Sequence, residues 1–231
     1  MDDLLSEKEQ IEKMRAWWSD YGWYVIGGIA LGAFILFGIN YYQSKQAEDA
    51  VAASVLYDEI TEHVINGNLE AAEAAAGRLD SEYGNSTYAA QSKLAMARLY
   101  MDKNRDQDAA GALNELLAMG GFEHLKHVAR VRLAKILLYQ GKPEEVLSLL
   151  EGEDNQAFAA TYAEERGDAY VALGRYDEAR AAYQAALSGG QQTVDQGLIQ
   201  LKLLDLPVDA GQAPEAAADE AAAAPAGDSS E

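Results

Sequence analysis

The chain has 231 residues, room for one ordinary domain with appendages or for two small ones. Its 38 Asp and Glu outweigh 18 Lys and Arg, for a formal net charge of -20, and this excludes readers of nucleic acid, which need a basic face to displace counterions. There is no cysteine, so disulfides, thiolate nucleophiles and Cys-based zinc sites are excluded, and three histidines leave little acid–base or metal chemistry.

Residues 1–20 form a short lead-in with Lys8, Lys13 and Arg15 as its bases. From Tyr21 to Ser44 no residue carries a charge, and Trp23 to Ile39 is unbroken apolar or Gly. A helix over 21–44 would be about 36 Å long, enough to cross a hydrocarbon core of about 30 Å with some tilt. Nine of those residues are Val, Leu, Ile or Phe, which together favour insertion by roughly 3 to 5 kcal/mol. Trp17, Trp18, Tyr21, Trp23 and Tyr24 flank one end and Tyr41 and Tyr42 the other, as amphipathic rings do at the headgroup level. A cleaved signal peptide fits poorly, because the apolar run is too long and Lys45 stands where a small residue is wanted. Bases are denser before the span than after it, where Lys45 stands alone, so the N-terminus is expected in the cytoplasm and the bulk of the chain across the membrane. Gly28 and Gly32 form a GxxxG pair that would let a second helix approach closely.

Residues 45–207 are Ala-rich, helix-favouring and periodic. The clearest unit is Ala160–Leu187. There Gly167 is small where two helices must touch, Tyr170 fills the gap a turn later, and Gly174 ends the first helix. Tyr176 is expected to pack the turn, and Ala179, Tyr183 and Ala186 place small, large and small groups on one face of the second helix. These positions have the spacing of the tetratricopeptide pattern. Ala134, Leu137, Gly141, Val146 and Leu150 repeat it one unit upstream, with Pro143 opening the second helix. Ala97, Tyr100, Ala109, Leu113 and Leu116 repeat it again, with the surplus length in a Met119–Gly121 connection. The stretch Ala47–Leu79, with Gly67 as its turn, fits least well, and Val194–Leu206 reads as a capping helix. The expected fold is all-α: a transmembrane helix, then a tetratricopeptide-like solenoid of about four helix pairs plus a cap. Residues 208–231 carry six acids, no base and no aromatic, and read as a disordered acidic Ala/Pro-rich tail.

Chemistry is hard to find. Glu123, His124 and His127 cluster at a helix start and could meet a metal, but read better as a solvated first turn. Phosphate loops and nucleophile elbows are missing, and the Arg166–Asp168 tripeptide is explained by the repeat. The expectation is no catalytic residue, no metal and no cofactor. In tetratricopeptide folds the inner wall is lined by the second, fifth, ninth and twelfth positions of each repeat. Here those positions are Leu94, Arg98 and Met101, then Val131, Lys135 and Leu138, then Glu164, Asp168 and Val171. Such a wall could hold an extended or helical protein segment, although several of its members could equally pack against the neighbouring repeat.

Several strings, in this order around one span, resemble the ancillary subunit family of the bacterial Sec translocon. They are Gln10–Gly22 (QIEKMRAWWSDYG), Ala95–Asn104 (AMARLYMDKN), Arg132–Leu137 (RLAKIL), Arg166–Leu187 and Leu198–Leu206 (LIQLKLLDL). The resemblance covers residues 7–206. It implies a single-pass inner-membrane protein with a cytoplasmic N-terminus and a periplasmic domain. Its implied partners are translocon subunits, nascent exported proteins and a membrane-anchored periplasmic chaperone of the prolyl-isomerase-like class. An alternative function is a membrane-tethered regulatory scaffold that sequesters a stress-response signalling protein through the lead-in, where Lys8, Lys13 and Arg15 stand beside Trp17 and Trp18.

Overall fold

A computed structural model describes residues 7–153, 155–189 and 194–207, and among these it contains nine helices and no strand. They are α1 (Glu7–Ile65), α2 (Leu69–Tyr83), α3 (Thr87–Asp102), α4 (Asp106–Ala118), α5 (Glu123–Tyr139), α6 (Pro143–Leu149), α7 (Ala159–Ala172), α8 (Tyr176–Ser188) and α9 (Gln196–Leu204). The tail expected over 208–231 lies outside the described residues.

α1 joins lead-in, apolar segment and solenoid in one uninterrupted helix. Its 59 residues span about 88 Å. Nothing in the sequence breaks it, since the chain's first proline is Pro143. Among the described residues one helix is thus long and apolar enough to cross a membrane, and the other described elements leave its apolar part uncovered. Trp23, Phe34 and Phe37 are 81%, 77% and 76% exposed, a pattern suited to lipid and not to a protein core. The last turns behave differently: Ala53 and Ile60 are fully buried against α2 and α3.

Beyond α1 the chain folds into antiparallel helix pairs. Within each pair the turn is three residues long, with a left-handed residue at its centre. Gly67, Gly141 and Gly174 take φ of 65°, 71° and 71°. Asn104 fills the same slot at 58°, tolerable because a short polar side chain accepts this region better than most. One backbone bond closes every turn: Asn68 N–H to His63 at 2.9 Å, Arg105 to Tyr100 at 2.8 Å, Lys142 to Leu137 at 2.9 Å and Arg175 to Tyr170 at 2.9 Å. Each engages a carbonyl from the end of the preceding helix. Three turns end on a base that reaches the acid three residues on: Arg105–Asp108, Lys142–Glu145 and Arg175–Glu178. Arg105 and Arg175 also lie over the rings of Tyr100 and Tyr170, at 5.0 and 4.7 Å. Ser86 and Asp195 cap α3 and α9 by accepting backbone N–H bonds.

The core runs along the stack in three clusters. Ile60, Leu79 and Leu99 anchor the first, Leu113, Leu133, Leu150 and Tyr162 the second, and Tyr183, Ala179 and Ile199 the third. α6 is only seven residues long. It cannot cover the start of α5, so the connection into α7 folds over that region instead, with Phe158 stacked on His127 at 5.1 Å between centroids.

Gly167 and Tyr183 define the closest approach of α7 to α8. A Cβ at Gly167 would enter the Tyr183 ring, whose hydroxyl donates to Asp168 at 2.6 Å. Gly77, in the middle of α2, has open space where its Cβ would be. Gly167→Ala should therefore destabilise the full-length protein in detergent by about 1 to 3 kcal/mol through overpacking. Gly77→Ala should stabilise it by about 0.5 to 1 kcal/mol, because it only removes backbone freedom. Thermal unfolding followed by circular dichroism checks both, and equal effects would contradict the packing described.

Candidate protein-binding groove

The first helices of successive pairs, α3, α5 and α7, line one wall of the solenoid. Between α3 and α5 this wall opens into a cavity of about 340 Å³, lined almost wholly by apolar atoms. Ala97 and Met101 form one side and Ile136 and Tyr139 the other, with Leu113 of α4 as the floor. Arg98, Asp102, Arg132 and Lys135 stand at the rim.

Of the residues read from the repeat pattern, the structure brings Arg98, Met101 and Lys135 together here. Leu94, Val131 and Leu138 instead lean on the buried core, half-covered. On α5 the places of Val131 and Leu138 at the cavity are taken by Arg132 and Tyr139, one step round the helix, with Ile136 beside them. Tyr139 is 70% exposed. The signal for this stripe was present in the spacing of Arg132, Lys135 and Tyr139, three and four residues apart along one helix face.

Glu164 and Asp168 sit at the far end of the wall, where α9 reaches them. Lys202 Nζ donates to Glu164 at 2.9 Å and to both Asp168 oxygens at 2.8 and 2.7 Å. Burial opposes the Lys202 charge, but its bonds to Asp168 and Glu164 outweigh that and raise its pKa. The cap therefore occupies this end of the wall by charge as well as by Ile199 and Leu206. Val171 is 36% exposed. Of the repeat-defining residues, Gly167, Ala179, Tyr183 and Ala186 are buried, Tyr170 packs half-buried on the last cluster, and Gly174 is the left-handed turn. Tyr176 is 40% exposed, and beside it Arg175 lies over the Tyr170 ring. Cβ atoms at Gly28 and Gly32 would meet nothing within 4 Å, which leaves that face of α1 open.

Two polar groups escaped the sequence. His127, expected in a solvated first turn, is buried at 8% exposure. The Asn155 amide donates to its Nε2 at 3.0 Å, so the ring proton sits on Nδ1 and is donated to Tyr162 Oη at 2.6 Å. His124, by contrast, is exposed. Among the described residues no group of three or more His, Asp and Glu is placed to hold a metal. Glu165 is 1% exposed, one turn from the cap network, with its Oε1 3.4 Å from Lys135 Nζ and its Oε2 without a hydrogen-bond partner. Burial pushes its carboxyl up to about 7 against the pull of Lys135, with Asp168 and Glu164 adding to the rise.

Fold and wall together define a helical-repeat protein with an open, partly apolar inner face. The sequence profile of the tetratricopeptide repeat-like domain matches residues 15–208, and the chain belongs to that family. Curated relatives named "Ancillary SecYEG translocon subunit" match it along nearly their whole length. The one from Escherichia coli (strain K12) is 29% identical, covering 90% of this chain and 100% of the relative. Those from Haemophilus influenzae and Neisseria gonorrhoeae are 27% and 28% identical, covering 87% and 86% of this chain and 98% and 96% of their own. Among solved structures, MamA 41-end from Desulfovibrio magneticus RS-1 overlaps at TM-score 0.48 and 17% identity, over 66% of this chain and 86% of that one. The resemblance read from the sequence strings thus runs the length of these named relatives.

Glu165 gives the fold a measurable pH dependence. The folded chain holds this proton to higher pH than the unfolded chain does. The stability it contributes is full below about 4.5 and is lost as pH rises through about 7. Glu165→Gln should remove that decline and leave the protein more stable than wild type at about pH 8, by on the order of 2 kcal/mol. Urea unfolding at about pH 5 and about pH 8 checks it. A difference between the two proteins that does not change with pH would contradict the assignment.

Proposed function

We propose that this chain is an ancillary subunit of the Sec translocon that binds other proteins through its repeat domain. Residues 21–44 cross the inner membrane once, the lead-in 1–20 stays in the cytoplasm, and residues 45–207 project into the periplasm. There the solenoid receives emerging exported polypeptides and passes them to a membrane-anchored chaperone of the prolyl-isomerase-like class.

The observation that carries the reading is collinearity. The match to the named relatives runs through the apolar segment and the repeats together and leaves almost none of their length unmatched. α1 supports the same arrangement physically, because it passes from the exposed apolar stretch into the solenoid core without a joint. Orientation rests on Lys8, Lys13 and Arg15 before the span against Lys45 alone after it.

The absence of cysteine makes topology directly testable. In spheroplasts, Ser188→Cys should react with a membrane-impermeant maleimide, and Met14→Cys should react only after lysis. The same cells should yield photo-crosslinks from positions 101 and 139 to translocon subunits or exported chains. Labelling of position 14 in intact spheroplasts, or adducts to cytoplasmic proteins alone, would overturn both orientation and function.

A further inference from the structure

The cavity between α3 and α5 departs from the acidic balance of the chain. Over the whole chain acids outnumber bases by about two to one. A neighbouring cleft between α2, α3 and α4 follows that balance, with Glu73, Asp80, Asp108 and Glu115 around Lys93. At the α3–α5 cavity the balance inverts: Arg98, Arg132 and Lys135 stand against Asp102.

None of these cations is spent on a strong internal contact. Arg98 and Asp102 are 3.9 Å apart with side chains 78% and 61% exposed, a pair that contributes little. Arg132 uses one N–H on the Leu94 carbonyl at 3.2 Å, which leaves its other guanidinium donors free of that bond. Lys135 is 64% exposed, and its partner Glu165 retains its proton up to near neutrality, so the counter-charge is incomplete there. Beneath the rim, an apolar hollow of about 340 Å³ suits one or two bulky side chains.

We propose that this cavity takes a bulky apolar side chain of a partner polypeptide, whose flanking acidic residues seat on Arg98, Arg132 and Lys135. The inference rests on the protein-binding reading of the domain and adds the chemistry of the bound segment. The chain's own C-terminal stretch is a poor occupant. Residues 209–231 carry the acids, but Ala and Pro are their largest apolar side chains, so they could reach the rim without filling the hole.

The test uses full-length protein in detergent and three fluorescein-labelled decapeptides read by anisotropy. One has Leu-Phe at its centre and four Asp or Glu on each side, a second replaces the flanks with Lys, and a third replaces Leu-Phe with Ala-Ala. The first peptide should bind about tenfold or more tighter than either control, and salt should weaken it. Arg132→Glu and Lys135→Glu should each cost about three- to tenfold. Arg98→Glu, whose side chain is 78% exposed, should do the same without disturbing the core.

Equal binding of acidic and basic peptides, or no loss in Arg98→Glu and Lys135→Glu, would overturn the proposal. So would a tenfold gain on deleting residues 208–231, which would make the tail the occupant, or displacement of the peptide by an anionic lipid. Self-association abolished by Arg132→Glu would assign the groove to a second copy and also overturn it. Co-purification of the wild-type chain with translocon subunits, run in parallel, separates the two levels. If co-purification holds while the peptide preference fails, only the groove chemistry falls; if co-purification fails, the proposed function falls.

Discussion

One helix carries the architecture from membrane to solenoid. α1 is apolar on every face over residues 23–39 and buries one face a few turns later, and it changes from one to the other without a break. Ala53 and Ile60 lock its end into the first core cluster, and an ion pair from Arg78 of α2 to Glu59 ties it from outside. A domain mounted this way has no linker to absorb rotation. The face that α3 and α5 present is therefore fixed relative to the axis of α1 by that helix's phase. That constraint turns a generic repeat surface into a directed one.

The repeats maintain the direction along the stack by simple local means. A left-handed residue at the centre of each turn reverses the chain in three residues, and the same closing backbone bond recurs in every turn and makes the reversal uniform. Gly167 lets α7 and α8 approach until the Tyr183 ring fills the contact, and the ring's hydroxyl anchors Asp168, to which Lys202 of the cap also bonds. Packing and charge thus end the solenoid together, with the final acids of the wall bonded from within by Lys202. The cavity between α3 and α5 is left open, and its cations have no comparable internal partner.

The parts legible in the sequence were those that a local rule dictates. An uncharged run of bilayer length has few other uses, and glycines at repeat spacing announce turns because few residues accept positive φ. Asn104 broke the glycine rule and could be placed only through its neighbours' periodicity. The inner wall was harder, because a one-residue error on a helix rotates a side chain by about 100°. Repeat position alone put Val131 and Leu138 where Arg132 and Tyr139 stand. His127 and Glu165 were illegible for a different reason. Their burial depends on α6 being short and on α7 lying directly against α5, and both are consequences of packing between distant segments.

The central claim is that anchor and domain form one rigid body through α1. It is tested most directly by a pulsed electron-paramagnetic distance between spin labels at Ile26→Cys and Val55→Cys, in full-length protein reconstituted in nanodiscs. Both positions are exposed and the chain contains no other cysteine. A continuous helix predicts a single narrow distribution near about 44 Å. A broad distribution, or one centred well below that distance, would mean a joint between membrane and solenoid and would contradict the account.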